Sequence, residues 1–433
     1  MTALHEPATA DTPTTARHPG MFRSLRVRNY RLYASGQLVS LTGTWMQRVA
    51  QDWLVLQLTN SGTALGIVTA LQFGPSLLLG LWGGVLADRG DKRKLLLITQ
   101  SGLAVVALAL GVLDLTGAVQ YWHVLVLAGL LGLFAALDTP IRQSFVVEMV
   151  GQDDLTNAVG INSTIFNIGR ILGPAVAGIL ITAVGTGWAF VGNAASSLAV
   201  LAGLAAMRPA ELFPSRPLAR ARGQLREGLR YVRHRSDLLL TMVLIFVIGT
   251  FGLNFQITCA LMAKQVFHSG ASGYGFLSTS LAVGALGGAV LATRRVKRPT
   301  MLFLLFAALA FSVLEIVVGL MPTLVLTAVA LVPAGMAMLT ITTGANSHVQ
   351  LGVAPQMRGR VMALYLVCFM GGTPLGAPIV GWLAETLGPR WGLLGGGLIC
   401  LVCVVTLGLL VARRRGMDTA DVVELVTTRA LAA

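Results

Sequence analysis

The sequence predicts an all-α integral membrane protein whose twelve transmembrane helices form two six-helix bundles. Three observations predict this fold class. The chain of 433 residues is 55% hydrophobic and only 12% charged, about half the charged content of a soluble globular domain. Twelve apolar stretches are long enough to cross a bilayer as helices. A long polar interval follows the sixth stretch and divides the chain six plus six.

The twelve predicted helices follow one another with short connections. They cover residues 31–57, 65–87, 95–117, 122–145, 158–183, 188–207, 238–262, 272–293, 300–320, 322–346, 359–386 and 390–412. We therefore divide the chain into a disordered cytoplasmic tail (1–28), an N-terminal bundle (29–207), a cytoplasmic linker (208–237), a C-terminal bundle (238–412) and a cytoplasmic C-terminal tail (413–433).

The basic residues predict how the helices are oriented. With both termini in the cytoplasm, 28 of the 32 lysines and arginines fall in inner segments and only Lys264 and Arg390 fall in outer loops. This asymmetry is the positive-inside rule, so we expect a multi-pass protein of the cell membrane. The net charge of +14 is spread over seven inner segments. A nucleic-acid site would gather it on one face, so we expect the lipid bilayer and no nucleic acid as a partner.

The linker contains a predicted amphipathic helix at residues 222–235, RGQLREGLRYVRHR. Leu225, Leu229 and Val232 lie on one face of it with arginines around them. Such a helix is suited to lie on the inner leaflet, where we expect it to brace the two bundles.

The two halves also resemble each other in sequence at an offset of 203 residues. The first half carries Leu172, Gly173, Gly178, Leu180, Gly185, Trp188 and Gly192, and the second carries Leu375, Gly376, Gly381, Leu383, Gly388, Trp391 and Gly395. The matches fall where two parallel six-helix repeats would place them, helices 5 and 6 against helices 11 and 12.

A charged motif, GGVLADRGDKRK (residues 83–94), joins predicted helices 2 and 3. With twelve helices and two repeats, it resembles the major facilitator superfamily of secondary transporters, whose signature reads Gly-x-Leu-Ala-Asp-Arg-x-Gly-Arg-Lys/Arg. Asp91 replaces the second glycine of that signature. This variant, with LDTPIRQSFVVEMV and MRGRVMALY elsewhere in the chain, is similar to the branch that includes the enterobactin exporter and macrolide-efflux-like proteins.

The resemblance implies a conformational latch at this motif. Asp88 would face the N-terminal end of helix 11, near Gly359, when the cytoplasmic side is closed, because a helix N-terminus attracts a carboxylate. The latch set comprises Gly84, Asp88, Arg89, Lys92, Arg93 and Gly359. The basic members can pair with acids such as Asp138; alternatively, Lys92, Arg93 and Lys94 serve only to fix topology.

Helix 5 carries a second motif of the superfamily, which is typical of antiporters. Its members here are Gly160, Gly169, Gly173, Pro174 and Gly178, and Ala177 replaces one glycine. Small residues let helices approach closely in a bilayer, so we expect helix 5 to pack on a helix of the other half. The resemblance implies export, although glycine-rich packing with no bearing on direction stays open.

Polar side chains within the spans indicate a transport pathway, since ionisable groups in a bilayer are costly unless they are paired or face water. The resemblance implies that helices 1, 4, 7 and 10 line a cavity. The candidates for substrate or proton binding are Gln47, Arg48, Gln51, Asp52, Asp138, Arg170, Asn254, Gln256, Thr340 and Thr343. Arg48 and Asp52 are one turn apart and can pair, as a structural pair or as a functional site. Glu315, on helix 9, is interpreted as a snorkelling side chain or an inter-helix contact.

The predicted function is secondary active transport by alternating access. We expect a proton-coupled exporter of a small amphipathic or anionic molecule such as a siderophore or drug, acting as a monomer. Asp52 is the first candidate for the proton carrier and Asp138 the second. An importer or symporter is the alternative, followed by a polytopic membrane enzyme. The sequence indicates no catalytic residue, no metal site and no cofactor beyond the proton gradient, and Cys400 and Cys403 are read as packing residues.

Overall fold

The structure, a computed structural model, describes residues 20, 22–213, 224–294 and 298–414. Within these ranges it does not describe the surroundings of ten residues: Leu81, Trp82, Gly84, Val85, Ala87, Asp88, Gln224, Leu225, Arg226 and Arg414. The predictions for most of both tails, for Leu225 and for the latch residues Gly84 and Asp88 therefore lie outside the described part.

The first half of the chain forms six long helices. They are α1 (Arg28–Thr59), α2 (Gly62–Arg89), α3 (Lys92–Leu115), α4 (Tyr121–Val150), α5 (Leu155–Val184) and α6 (Thr186–Ala205). Single-residue or two-residue connections separate several of them, so consecutive helices run antiparallel. All six predicted spans of this half are helical.

The second half begins with the short helix α7 (Gln224–Arg233) and then crosses the membrane six more times. The seventh span, Ser236–Val266, is interrupted: it consists of α8 (Ser236–Val247), a π-turn (Ile248–Gly252), α9 (Phe255–Leu261) and a second π-turn (Met262–Val266). The remaining spans are α10 (Gly270–Thr293), α11 (Met301–Leu320), α12 (Leu324–Gly352), α13 (Pro355–Leu387) and α14 (Pro389–Arg414).

Eleven spans among the described residues are long and apolar enough to cross a membrane. The first, α1, is 32 residues long but is not among them, because glutamines and charged residues interrupt its apolar sequence. Several of its polar residues line a cavity in the first bundle. The fold is thus the all-helical, two-bundle membrane fold that the sequence predicts.

Two ends of the molecule are distinguished by their connections. The end that carries residues 90–91, 151–154, 206–213 and 353–354 adjoins most of the basic residues; we call it the basic end. The connections at the other end include residues 60–61, 116–120, 267–269 and 321–323; we call it the far end.

The sequence repeat corresponds to a structural repeat. Gly185 ends α5 with φ +93° and Gly388 ends α13 with φ +106°, a backbone conformation that glycine adopts readily and other residues do not. The matched glycines Gly178 and Gly381 also play equivalent roles, since each lies where its helix meets the other bundle. The matches at offset 203 therefore mark tight turns and helix crossings.

The bundles meet along two helix pairs, α2 with α13 and α5 with α10. Glycines allow the backbones to touch: a side chain at Gly62 would lie 2.6 Å from the carbonyl oxygen of Gly381, and one at Gly275 would lie 2.6 Å from that of Pro174. Close approach through small residues is a principal source of helix association in membranes. Both crossings lie towards the far end.

The amphipathic helix α7 packs on the second bundle. Glu227 forms an ion pair of 2.6 Å with Arg360 of α13, and Gly228 lies against the backbone of the same residue. Val232 is buried, whereas Leu229 is about half exposed. We expected this helix to contact both bundles. Among the described residues, the contacts shown are with the second bundle.

Candidate functional site

Two cavities among the described residues are candidate sites, and the larger of the two, with a volume of about 350 Å³, lies within the wall of the first bundle. It runs from mid-membrane, at Gln47 and Arg48, towards the basic end, at Tyr33 and Arg142. Its lining is rich in amides: Gln37, Gln47, Gln51, Gln72, Gln100, Gln143, Asn162 and Asn193. An amide offers both donors and acceptors, so this wall can bind polar groups of many kinds without adding charge.

A smaller cavity of about 180 Å³ lies between the bundles. Arg48 lines both cavities, and Arg170 of α5 lines the smaller one. The second bundle contributes Gln256 of α9 and Tyr274 of α10 to the same wall, among mostly apolar residues. The two cavities adjoin at Trp45 and Arg48, and together they give a candidate substrate site that is amide-rich on one side and apolar on the other.

The two arginines have no carboxylate partner within 4 Å among the described residues. The Arg48 guanidinium lies over Trp45, 4.7 Å from the ring centroid, and near Phe73 at 5.4 Å. Arg170 donates to the Asn167 side chain at 3.2 Å, and its buried Nε has no hydrogen-bond partner. A guanidinium held by aromatic faces and amides remains available to an anionic ligand.

Arg48 and Asp52 form no ion pair within 4 Å among the described residues, although their charges are close enough to interact. Asp52 instead accepts a hydrogen bond of 2.6 Å from the hydroxyl of Tyr274, and its side chain is only 2% exposed. Residues four apart on a helix can face each other, but here Arg48 turns to Trp45 while Asp52 points at the other bundle. The hydrogen bond therefore joins α1 to α10 across the bundle interface.

Asp138 is completely buried and has three donors. It accepts hydrogen bonds from Thr99 at 2.9 Å and Gln100 at 2.8 Å, and it pairs with Arg142. Arg142 lies within α4 and lines the larger cavity, where it also donates to Gln37. Asp138 thus has a partner of its own and does not pair with the basic motif after α2.

The other predicted cavity residues divide into two groups. Gln47, Gln51 and Gln256 line the cavities as expected. Asn254 is buried and donates to the Thr250 carbonyl at 2.7 Å, within the interruption of the seventh span. The linings of the two cavities do not include Thr340 or Thr343; the Thr343 hydroxyl bonds to its own helix.

The sequence reasoning missed most of the amide-rich wall. The missed amides are Gln37, Gln72, Gln100, Gln143, Asn162 and Asn193. Four of them lie on α2, α3, α5 and α6, which were not expected to line a cavity, whereas the other two lie on α1 and α4, which were. Gln47 and Asn193 are directly hydrogen-bonded. The available signal was the number of amides inside apolar spans, since uncharged polar groups also require partners in a bilayer.

The basic residues after α2 hold the first bundle together. Lys92 pairs with Glu148 of α4, and Arg93 donates to the carbonyls of Leu204 and Ala205 at the C-terminus of α6, at 2.7 and 2.8 Å. Cations at a helix C-terminus are favoured by the exposed carbonyls. Asp91, which departs from the superfamily signature, caps α3 by accepting from the Lys94 backbone at 3.1 Å. Arg89 is exposed.

The glycines of the antiporter-type motif serve two interfaces rather than one. Gly169 and Gly173 lie against α1 of the same bundle, at Leu41 to Met46. Pro174 and Gly178 contact α10 of the other bundle, while a side chain at Gly160 would have nothing within 4 Å. The expectation that this motif faces the other half is therefore correct only for its far-end part.

The far end is closed by hydrogen bonds between the bundles. Glu385 of α13 accepts from the Ser61 hydroxyl at 2.6 Å and from the Thr63 backbone at 2.9 Å, which places a carboxylate at the N-terminus of α2. Lys264 donates to the Leu56 carbonyl, and Gln265 donates to the Asn60 carbonyl at 3.2 Å. Four polar contacts thus join the halves at this end.

The basic end has space beside the start of α13. A side chain placed at Gly359 would meet nothing within 4 Å among the described residues, although α7 covers the neighbouring Arg360. Further along α13, a side chain at Gly371 would lie 3.2 Å from Leu77 of α2. The larger cavity extends towards the basic end.

Comparison with known proteins agrees with this architecture. Residues 20–428 match a family of the superfamily described as transmembrane secretion effector. The enterobactin exporter EntS of Escherichia coli is 25% identical over 396 residues, which are 90% of this chain and 94% of that protein. The multidrug efflux pump Tap of Mycolicibacterium fortuitum is 28% identical over 81% of this chain and 88% of its own.

A third relative and two solved structures extend the comparison. The staphyloferrin A transporter of Staphylococcus aureus is 34% identical, but over only 35% of this chain and 38% of its own length. The nucleoside transporter NupG has a TM-score of 0.69 at 14% identity, covering 88% of this chain and 98% of its own. A bacterial homologue of the lysosomal transporter Spinster, in an inward-facing and occupied conformation, has a TM-score of 0.67 at 17% identity, covering 93% and 99%. These structures share the fold.

Proposed function

We propose that this chain, which belongs to the family of transmembrane secretion effectors within the major facilitator superfamily, exports a small amphipathic or anionic molecule by alternating access. The observation that carries the proposal is the pair of arginines without carboxylate partners, Arg48 and Arg170, in a cavity between two bundles. The arginines supply positive charge for an anionic group of the ligand. Apolar residues of the second bundle, among them Leu253 and Met338, supply contact for the apolar part of the ligand.

The basic end is the cytoplasmic end in this proposal, with the protein in the cell membrane and both termini inside. The excess of lysine and arginine there supports this orientation. The structure then represents the inward-open state, in which the cavities receive a substrate from the cytoplasm while contacts such as Glu385–Ser61 seal the outside. Rocking of the bundles would close the basic end and open the far end.

The relatives support a substrate in the siderophore or drug class. Two of them are named for siderophores and one for multidrug efflux. An amide-rich wall with half-buried arginines suits a ligand that carries several oxygen acceptors on an otherwise apolar frame. Transport by alternating access makes and breaks no covalent bond. We therefore propose a transporter and not an enzyme, as the match to the secretion-effector family supports.

Proton coupling is assigned to Asp52. In the inward-open state its carboxylate accepts the Tyr274 hydrogen bond and helps to keep the far end closed. Opening of the far end would separate the two groups and expose the carboxylate to external water, where it can take up a proton. Return to the inward-open state would release that proton inside, so that inward proton flow drives export.

The experiment uses inside-out vesicles that contain the full chain, loaded with a pH indicator and screened with anionic amphipathic dyes. We expect substrate-induced proton movement and dye accumulation, which Arg48→Gln and Arg170→Gln reduce about tenfold by raising KM, since each removes a charge-assisted contact. Arg413→Gln removes an exposed positive charge away from the cavities and serves as the control.

Two outcomes would overturn the proposal. Equal losses in Arg413→Gln and Arg48→Gln would mean that net charge, and not the cavity, determines uptake. Dye movement out of inside-out vesicles along with protons would indicate import by symport, the alternative function. For the coupling step, unchanged pH-driven transport in Asp52→Asn would remove Asp52 from the mechanism.

A further inference from the structure

We propose that Glu315 of α11 is a proton-binding site outside the central cavity, and that it holds a proton while the seventh span is interrupted at the neighbouring π-turn. The site lies within the second bundle, between α11, α14 and residues 248–252. It is separate from Asp52, which lies at the interface of the two bundles. The inference concerns the protonation state of this carboxyl and does not depend on the proposed export function.

Glu315 is buried in protein, not extended to the lipid headgroups. Only 2% of its surface is exposed, so the snorkelling interpretation is wrong and the inter-helix interpretation is retained. Its Oε2 atom has no hydrogen-bond partner, and no basic side chain lies within 4 Å of the carboxyl among the described residues. An ionised carboxylate in such surroundings would be far more costly than a protonated one.

The carboxyl faces an acceptor rather than a donor. Gly396 of α14 leaves a gap there: a side chain at this position would lie 2.5 Å from the Phe251 carbonyl oxygen and 3.1 Å from Oε1 of Glu315. The two oxygens therefore border the same small space. Two acceptors can share a hydrogen bond only if one carries a proton, and a backbone carbonyl has a second lone pair to accept it.

The elements around the site bring no positive charge to the Glu315 carboxyl among the described residues. On α14 the Cys400 thiol interacts with Glu315, and Arg390 donates instead to the backbone carbonyls that follow Glu315 at the end of α11, at 2.7 and 2.8 Å. The π-turn, Ile248–Gly252, contains no titratable residue, and the facing turn of α11 contributes Ser312, whose hydroxyl donates to its own helix.

Because Glu315 lies beside the π-turn, its protonation affects the shape of the seventh span. The π-turn interrupts the α-helical hydrogen bonding of the seventh span, and such interruptions are frequent at functional sites. A protonated Glu315 that donates towards Phe251 stabilises the interrupted form, whereas an ionised Glu315 repels the carbonyl. Protonation of this residue is thereby linked to the shape of a span that lines the smaller cavity through Leu253, Phe255 and Gln256.

The test is infrared difference spectroscopy on the full chain in lipid nanodiscs at neutral pH, comparing H2O with D2O. We expect the carbonyl-stretch band of a protonated carboxylic acid, which shifts in D2O and disappears in Glu315→Gln. Asp138→Asn is the matched control, because Asp138 is equally buried but accepts from Thr99, Gln100 and Arg142. The band should survive that substitution and should also survive Asp52→Asn.

A band that persists in Glu315→Gln overturns the proposal, as does one that disappears only in Asp138→Asn. If Glu315→Gln does not fold, the unaltered protein is treated with a hydrophobic carbodiimide, which reacts with protonated carboxyls. An adduct on Glu315 with none on Asp138 supports the proposal, and its absence from Glu315 overturns it. Either result leaves the transport assay in the previous section to succeed or fail by itself.

Discussion

The two ends of the antiparallel pair α2 and α13 differ in how closely the helices approach each other. At the far end the helices touch through Gly62 and Gly381, and a carboxylate at the end of α13, Glu385, caps the start of α2. At the basic end a side chain placed at Gly359 would meet nothing within 4 Å among the described residues. There the sequence predicts the reciprocal arrangement, in which Asp88 at the end of α2 meets the start of α13.

From this comparison we predict that one helix pair closes at either end with the same chemistry. A carboxylate at a helix N-terminus is favoured by the unpaired backbone N–H groups and by the helix dipole. Because the pair is antiparallel, each end presents one C-terminus with an acid and one N-terminus to receive it. We predict that closure alternates between Glu385 and Asp88, and the substitutions below test this relation.

The largest effect is expected from Gly381→Ala. The added methyl group would overlap the Gly62 carbonyl oxygen, and overpacking of this kind costs about 3 kcal/mol, which corresponds to about a hundredfold shift away from far-end closure. We expect transport to be nearly abolished. The measurement is thiol labelling of a cysteine introduced at Thr63, in a background that lacks the four native cysteines, where labelling from the far side should rise.

Gly359→Ala is the matched control on the same helix. It has open space in the structure, so far-side labelling at Thr63 should not rise in this variant. If Gly359→Ala and Gly381→Ala raise labelling equally, the difference between the two ends described here is not the one that controls closure.

An intermediate effect is expected from Tyr274→Phe, which removes the hydrogen bond from Tyr274 to Asp52. A buried hydrogen bond to a charged group contributes about 1.5 to 3 kcal/mol, so the far end should open at least about tenfold more often. Proton-driven transport should persist in Tyr274→Phe, because the carboxylate is intact, and should be lost in Asp52→Asn. Equal behaviour of the two variants would contradict the separate roles given to the closure and to the proton.

The smallest effect, and the most direct test of reciprocity, comes from Glu385→Gln and Asp88→Asn. Loss of a carboxylate at a helix N-terminus costs about 0.5 to 1 kcal/mol, a two- to fivefold change in the population of the closed end. Glu385→Gln should raise labelling from the far side, and Asp88→Asn should raise labelling from the basic side. Changes in the same direction for both variants would refute the reciprocal latch.

The fold could be predicted from the sequence almost completely. The twelve apolar stretches lie on long helical spans, eleven of which are apolar enough to cross a membrane among the described residues, with α1 as the exception. The matched glycines of the repeat form the turns at Gly185 and Gly388 and the crossings at Gly178 and Gly381. These features are local, because span length, turn conformation and the absence of a side chain are properties of residues and their near neighbours. A bilayer strengthens them, since every backbone group must be satisfied within its own helix.

The site could be predicted only in part. Arg48 and Arg170 were found because a charge in an apolar span is conspicuous, whereas most of the amide wall was missed because an amide is not. The hydrogen-bond and ion-pair partners of the acidic residues were predicted least well. Asp52 accepts a hydrogen bond from Tyr274 of the other bundle and forms no ion pair with Arg48, and Asp138 pairs with Arg142 instead of the motif after α2. The partner of Asp52 depends on what stands opposite α1 in the other bundle, whereas Arg142 lies one turn from Asp138 on α4, a spacing that can be read from the sequence.

The sequence by itself determined that the chain resides in a membrane, how many times it crosses, and which segments carry charge, because hydrophobic length and charge distribution act locally. Only the tertiary structure decided which end is shut, which acid faces which donor, and that Glu315 faces a carbonyl instead of lipid. Most of those facts depend on how whole helices are rotated and spaced, as for Asp52 of α1 and Tyr274 of α10, and a pattern of neighbouring residues does not specify that arrangement.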